Sequence, residues 1–148
     1  MTTPEQRPRS RRFTVVVADD DDRVREALND LINDNPRLRV VGTASSGTGA
    51  AALCSMHQPH LAVVDVMMPT GGAEAIKAIS QVSPLTLVVV YTVRRDRRTR
   101  ERLAEAGAAA VFTKGALRNL GDALVALAVE DRPIPDDTFR SPDPSGCA

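Results

Sequence analysis

Short apolar runs alternate along the chain with stretches in which apolar residues recur every three to four positions. The runs cover residues 13–18, 38–44, 61–65, 86–91 and 109–113. Three of the five are almost continuously apolar, which is typical of central strands that are covered on both faces of a sheet. The pattern therefore predicts five β-strands.

Helices are predicted between the strands. The first helix has Asp22 as its predicted N-cap and carries an apolar stripe made of Val24, Ala27, Leu28, Leu31 and Ile32. The last helix carries a similar stripe made of Leu117, Leu120, Leu124 and Leu127. Weaker helical patterns cover residues 47–57, 73–82 and 97–106.

Strands that alternate with helices favour a doubly wound α/β domain with a five-stranded parallel sheet. Right-handed crossovers place the carboxyl ends of all strands on one edge, where ligands bind near the switch in strand order. The residues at or one position past a predicted strand end include Asp19, Asp20, Asp65, Thr92 and Lys114. Carboxylates that crowd together repel, and a bound cation is the usual remedy. The pattern thus predicts a cation site at this edge.

One domain accounts for the length of the chain. The alternating pattern covers residues 13–130 of the 148. Residues 1–12 are polar, rich in arginine and interrupted by proline, and residues 131–148 carry four prolines among aspartate and serine. Neither end can bury much apolar surface, so we expect a disordered N-terminal arm and a disordered tail.

The charge balance gives no general reason to expect nucleic-acid binding, because Lys+Arg and Asp+Glu both number 19. Arginines do cluster between Arg94 and Arg102. We interpret the cluster as a solvated helix face, and the alternative is a surface for an acidic partner or a nucleic acid. No aromatic interleaving or helix-turn-helix pattern supports direct nucleic-acid binding.

A cytoplasmic location is expected. The arginine-rich start is followed by too short an apolar run for a signal peptide or a membrane span. Cys54 falls in a predicted helix and Cys147 in the predicted tail, so no structural disulfide is expected. His57 and His60 have no partners at metal-ligand spacing and are interpreted as surface residues.

Four motifs together resemble the receiver domain of the bacterial two-component response regulators. They are Ala18-Asp19-Asp20, Val64-Asp65-Val66-Met67-Met68-Pro69, Tyr91-Thr92 and Phe112-Thr113-Lys114. Taken singly, each fits an ordinary role: a helix cap, a turn residue, a strand-end hydroxyl or a surface lysine. Their order on the predicted strands is specific, and the resemblance covers roughly residues 13 to 129. It implies a flavodoxin-like fold.

The resemblance also implies roles for single residues. Asp65 would be the phosphoacceptor, and Mg²⁺ would be held by Asp20, Asp65 and the Met67 carbonyl, with Asp19 holding a coordinated water. Lys114 and Thr92 would bind phosphoryl oxygens. The chain would thus be a phosphoprotein rather than a conventional enzyme, with self-catalysed phosphotransfer and autodephosphorylation at Asp65.

A histidine kinase or a phosphotransfer protein is the implied donor, and a changed protein-interaction surface is the implied output. The first helix resembles that of receivers that precede a helix-turn-helix domain, but residues 131–148 are too few and too rich in proline to be expected to form one. Two alternatives remain open: a phosphorylation-independent interaction module, and a truncated DNA-binding response regulator. A homodimer is also left open.

Four departures from the family pattern bear on the output. Val111 stands where an aromatic switch residue is common, and Phe112 points to the other side of the strand. Gly115 replaces the usual proline after the lysine, and the loop after Pro69 is one residue shorter than usual. Val93 replaces a small residue and is expected to narrow access to Asp65.

Overall fold

The computed structural model describes residues 12–68, 71–94, 96–113 and 119–131. In these ranges strands and helices alternate as predicted. They are β1 (Phe13–Ala18), α1 (Asp22–Asn33), β2 (Leu38–Ala44), α2 (Gly47–His57), β3 (Leu61–Asp65), α3 (Gly72–Val82), β4 (Leu87–Thr92), α4 (Arg97–Ala106), β5 (Ala110–Thr113) and α5 (Leu120–Asp131). The predictions for residues 1–11, for Leu117 and for residues 132–148 lie outside the described residues.

All the strands pair in parallel, in the order β2-β1-β3-β4-β5. The chain adds β2 on one side of β1 and the later strands on the other, so the order reverses between β1 and β3. The carboxyl ends of these two strands therefore flank the position where ligands bind in open α/β sheets. The predicted doubly wound, flavodoxin-like fold class is confirmed.

Two cores lie on opposite faces of the sheet, because successive strand residues point to opposite sides. Val16, Val64 and Val90 pack with residues of α2, α3 and α4 on one face. Val17 and Val63 lie on the other face, with residues of α1 and α5. Burial on both faces explains why the central strands read as continuous apolar runs.

The start of α1 differs from the prediction by one residue. Asp21, not Asp22, is the N-cap: its backbone is extended and its side chain accepts hydrogen bonds from the N–H groups of Arg23 and Val24. Asp22 is instead the first helical residue and pairs with Arg25. Either of two adjacent aspartates can cap a helix, so the sequence alone does not choose between them. The choice depends on which residue keeps an extended backbone before the helix begins.

The two histidines also differ from each other. His57 is exposed at the end of α2, as predicted. His60 is half-buried, and its Nδ1 accepts a hydrogen bond of 3.0 Å from the N–H of Thr14. His60 is therefore a structural tie between β1 and the residues before β3. Among the described residues, no helix is long and apolar enough to span a membrane.

Candidate functional site

Three carboxylates meet at the carboxyl edge of the sheet. Asp19 directly follows β1 and Asp65 is the last residue of β3, and both side chains are buried. Asp20, which follows Asp19 in the chain, is exposed. Each of the three offers one oxygen, and these oxygens lie within 4.8 Å of one another. The structure therefore brings together the acids that the sequence predicted at this edge.

Asp19 is fixed by several hydrogen bonds. Its Oδ1 accepts from the N–H of Asp21 at 2.7 Å, and its Oδ2 accepts from the hydroxyl of Tyr91. Nη1 of Arg25 donates to the Asp19 backbone carbonyl at 2.8 Å. The carboxylate is thus oriented from two sides.

Tyr91 is fully buried, one residue before the end of β4. Burial raises the pKa of its phenol above the ordinary value, and the hydrogen bond and charge of Asp19 raise it further. The negative charges of Asp65 and Asp20 act in the same direction. The phenol therefore keeps its proton and serves as the donor to Asp19.

Asp65 is held by the loop that follows it. The N–H of Met67 donates to Oδ1 of Asp65 at 3.0 Å, so the backbone turns sharply after the strand. Met67 itself is exposed, whereas Met68 is buried in the core beside α3. This turn also places the backbone of Met67, the residue predicted to supply a carbonyl ligand, close to the acid cluster.

Thr92 is the last residue of β4 and is fully buried. Its Oγ1 accepts a hydrogen bond of 3.0 Å from the N–H of Arg94, in the connection to α4. Val93 lies between them and is 61% exposed. The hydroxyl oxygen of Thr92 is thus tied directly to the segment that leads into α4.

Arg100 connects α4 to the edge strand β5. Its Nη1 donates to the carbonyl of Val111 at 3.4 Å, and its Nη2 donates to Oγ1 of Thr113 at 3.2 Å. Val111 packs on the α4 side of the sheet and Phe112 on the opposite side, as predicted. Arg100 therefore fastens α4 to the edge strand at two points.

The acid cluster fits Mg²⁺, which prefers hard oxygen ligands and a small number of carboxylates. Asp19, Asp20 and Asp65 form the one group of three or more potential ligand residues found close together in the described ranges. The partial burial of the group also favours a cation, because repulsion between carboxylates is stronger away from water.

Lys114, Gly115 and Pro69, which the sequence singled out, lie outside the described residues. One residue of the site was missed. Tyr91 was noted only as part of a motif, and its bond to Asp19 was not predicted. Strand alternation carries the signal, because Val17, Val63 and Val89 share one face of the sheet. The residues two positions further on are Asp19, Asp65 and Tyr91.

Comparisons with known proteins agree with this geometry. The family described as "Response regulator receiver domain" matches residues 15–124. Response regulator GacA of Pseudomonas aeruginosa is 39% identical over 103 residues, which cover 69% of this chain and 48% of the relative. The protein-glutamate methylesterase/protein-glutamine glutaminase 4 of Myxococcus xanthus is 37% identical over 102 residues, covering 68% of this chain and 29% of the relative.

A solved structure shows the same fold. The signal receiver domain of the putative response regulator NarL from Mycobacterium tuberculosis superposes with a TM-score of 0.75 at 27% identity, covering 79% of this chain and 96% of that one. This chain spans about half the length of the GacA relatives that it matches. The chain belongs to the response regulator receiver domain family.

Proposed function

We propose that this chain is the phosphoacceptor receiver of a two-component system. In this proposal Asp65 takes a phosphoryl group from a histidine kinase or a phosphotransfer protein in the cytoplasm of a bacterium. The observation that carries the proposal is the meeting of three carboxylates, two of them buried, at the switch point of the sheet. Repulsion within such a cluster destabilises the fold unless a cation binds there. Destabilising groups of this kind are typical of functional sites.

Asp65 is the proposed nucleophile. The Met67 N–H fixes its Oδ1 and so sets the orientation of the carboxylate. A carboxylate oxygen of Asp65 forms the new bond to phosphorus while the bond from phosphorus to the donor nitrogen or oxygen breaks. Later attack by water returns Asp65 to the carboxylate and releases inorganic phosphate.

Asp20 and Asp65 are the proposed carboxylate ligands of Mg²⁺, Met67 is the proposed carbonyl ligand, and Asp19 would hold a coordinated water. When bound, Mg²⁺ supplies positive charge that offsets the repulsion between the carboxylate and the incoming phosphoryl group. Lys114 is proposed to add a second positive charge on a phosphoryl oxygen.

Thr92 is the proposed link between phosphorylation and output. In the structure its Oγ1 accepts a hydrogen bond from the Arg94 N–H. A phosphoryl oxygen on Asp65 would draw the Thr92 hydroxyl inward as a donor, and the bond to Arg94 would weaken. The connection to α4 would then shift, which changes the arginine-rich face offered to a protein partner.

The proposal is tested by the mass of the intact protein after treatment with a phosphodonor. Both a small acyl phosphate and a phosphotransfer protein that carries phosphohistidine should be used, with and without Mg²⁺. We expect a Mg²⁺-dependent gain of one phosphoryl group in the natural protein and none in Asp65→Asn. Asp21→Asn is the matched control, because asparagine also caps a helix and the change removes a neighbouring charge outside the cluster.

A phosphoryl group gained by Asp65→Asn would contradict the assignment of Asp65. No gain by the natural protein from either donor would favour the alternative, a receiver fold that binds its partner without phosphorylation.

A further inference from the structure

Tyr91 is in register with Asp65, yet its hydroxyl donates to Asp19 two strands away. The strand order is β1-β3-β4, so β3 lies between the two residues. The buried phenol therefore passes across the strand that carries Asp65 and ends on the carboxylate of β1. A tyrosine at this position therefore connects β4 to the acid that follows β1.

The contacts of Asp19 are complementary. The phenol donates to Oδ2, and the backbone N–H of Asp21, the N-cap of α1, donates to Oδ1. Both bonds are charge-assisted, and together they leave the carboxylate little freedom to rotate. Without the phenol, Asp19 would be held at one oxygen only and could turn about its side-chain bonds.

Orientation matters at this position because Asp19 is fully buried and its neighbours in the cluster are also acidic. Donors behind a metal-binding carboxylate set the direction of its lone pairs and disperse part of its charge. If Asp19 is oriented in advance, it holds the water coordinated to the cation without first having to be ordered.

We propose, on the basis of the function proposed above, that Tyr91 is a positioning residue of the Mg²⁺ site. Its hydroxyl holds the Asp19 carboxylate so that one oxygen faces those of Asp20 and Asp65. The competing explanation is that a buried tyrosine simply uses the nearest acceptor for its hydroxyl. The two explanations differ in their effect on Mg²⁺ binding, because a purely structural tyrosine affects stability alone.

The chain contains a built-in reporter for the first test. Tyr91 is its only tyrosine, and it has no tryptophan. Tyrosine absorption and fluorescence respond to the strength of the hydrogen bond that the phenol donates to a carboxylate. Mg²⁺ added to the natural protein should therefore change the near-ultraviolet absorption and the emission of Tyr91. The change should saturate at the same Mg²⁺ concentration as the rise in melting temperature.

The second test compares Tyr91→Phe with Thr86→Val. Thr86 directly precedes β4, at the opposite end of that strand from Tyr91. Its buried hydroxyl donates to the Pro59 carbonyl at 2.6 Å. Each substitution removes one buried hydroxyl, so both are expected to lower the melting temperature. We expect Tyr91→Phe alone to raise the Mg²⁺ concentration needed for half-maximal thermal stabilisation, by about 10-fold.

The rate of phosphorylation supplies a further distinction. In Tyr91→Phe the Mg²⁺ concentration that gives the half-maximal rate should rise together with the concentration for half-maximal thermal stabilisation, whereas Thr86→Val should leave it unchanged.

Three results would overturn the proposal. They are a melting temperature that rises with Mg²⁺ while the Tyr91 signal stays constant, an equal Mg²⁺ requirement in the Phe and Val variants, and the absence of any Mg²⁺ effect on melting temperature. The third result would also overturn the proposed Mg²⁺ site, whereas the first two would leave that site standing. Even if Tyr91→Phe fails to fold, a constant Tyr91 signal in the natural protein would still overturn the proposal.

Discussion

Asp19 and Asp65 lie side by side, because each follows one of a pair of register partners, Ala18 on β1 and Val64 on β3. Both carboxylates are buried. Two negative charges on adjacent strands destabilise the fold in the absence of a cation. This relationship determines how the protein should respond to Mg²⁺.

Mg²⁺ should stabilise the native fold, because the assembled cluster exists only in the folded chain. At a Mg²⁺ concentration 100-fold above the dissociation constant, the free energy of unfolding should rise by about 2.7 kcal/mol. Asp20→Asn should lose most of this increment without losing stability in Mg²⁺-free buffer, since Asp20 is exposed. Thermal unfolding across millimolar Mg²⁺ measures both quantities. Identical Mg²⁺ responses in the two proteins would argue against the site.

Gly72→Ala should destabilise the connection after Asp65. A Cβ at this position would lie 2.7 Å from Cγ1 and 2.8 Å from Cβ of Val66, the residue that follows Asp65. Relief of this overlap requires the backbone to move, at a cost of about 1–3 kcal/mol in the free energy of unfolding. Urea unfolding checks the cost. Addition of Val66→Ala should restore part of the lost stability, and a double variant that is less stable than Gly72→Ala would show that the overlap is not the cause.

Arg100→Met should loosen α4 from β5. The substitution keeps an apolar stem and removes the donors to Val111 and Thr113. We expect the free energy of unfolding to fall by about 1 kcal/mol and the amides of β5 to exchange hydrogen faster. Arg97→Met is the matched control, because Arg97 belongs to the same helix and is exposed. Equal losses of stability in the two variants would show that the bonds from Arg100 to β5 do not stabilise the fold.

Cys54 should resist alkylation in the native protein. Burial among the residues of α2, α3 and the sheet raises the pKa of its thiol to about 12. Iodoacetamide at pH 8.5 should therefore label Cys54 slowly in the native state and rapidly in urea, as read by peptide mass spectrometry. Rapid labelling in the native state would show that α2 opens readily.

The same pKa shift predicts the sign of a pH dependence. A raised folded-state pKa means that the thiol contributes stability below about pH 9, the range in which it is protonated in both states. This contribution is lost as the pH rises through about 12. The difference in stability between the natural protein and Cys54→Ala should therefore shrink above pH 9. A difference that stays constant to pH 11 would contradict the predicted shift.

Much of the fold was predictable because the central strands are covered on both faces. Continuous apolar runs located β1 and β3 to the residue, and the acids at or just past their carboxyl ends then had to share one edge. The β4 boundary shifted by one residue, since Thr86 precedes the strand and Thr92 closes it. Thr86 lies outside the ladder because its backbone N–H donates to the Ser83 carbonyl in the turn before the strand.

The contacts that were missed join residues far apart in sequence. Thr14 and His60 are 46 positions apart, and Asp19 and Tyr91 are 72 positions apart. Composition and periodicity report which face a residue occupies but not which side chain it reaches across neighbouring strands. Strand alternation placed Tyr91 on the face of Asp19, whereas its reach across β3 depends on the twist and spacing of the sheet.

The most direct test of phosphorylation at Asp65 is the chemical location of the phosphoryl group. Borohydride reduces an acyl phosphate to the alcohol, so a phosphorylated aspartate becomes homoserine while a free aspartate is unchanged. After Mg²⁺-dependent phosphorylation, reduction and proteolysis, peptide mass spectrometry should find homoserine in place of Asp65 and unaltered side chains at Asp19 and Asp20. Homoserine at either of those two positions, or an unaltered Asp65 in protein that has gained a phosphoryl group, would contradict the proposed function.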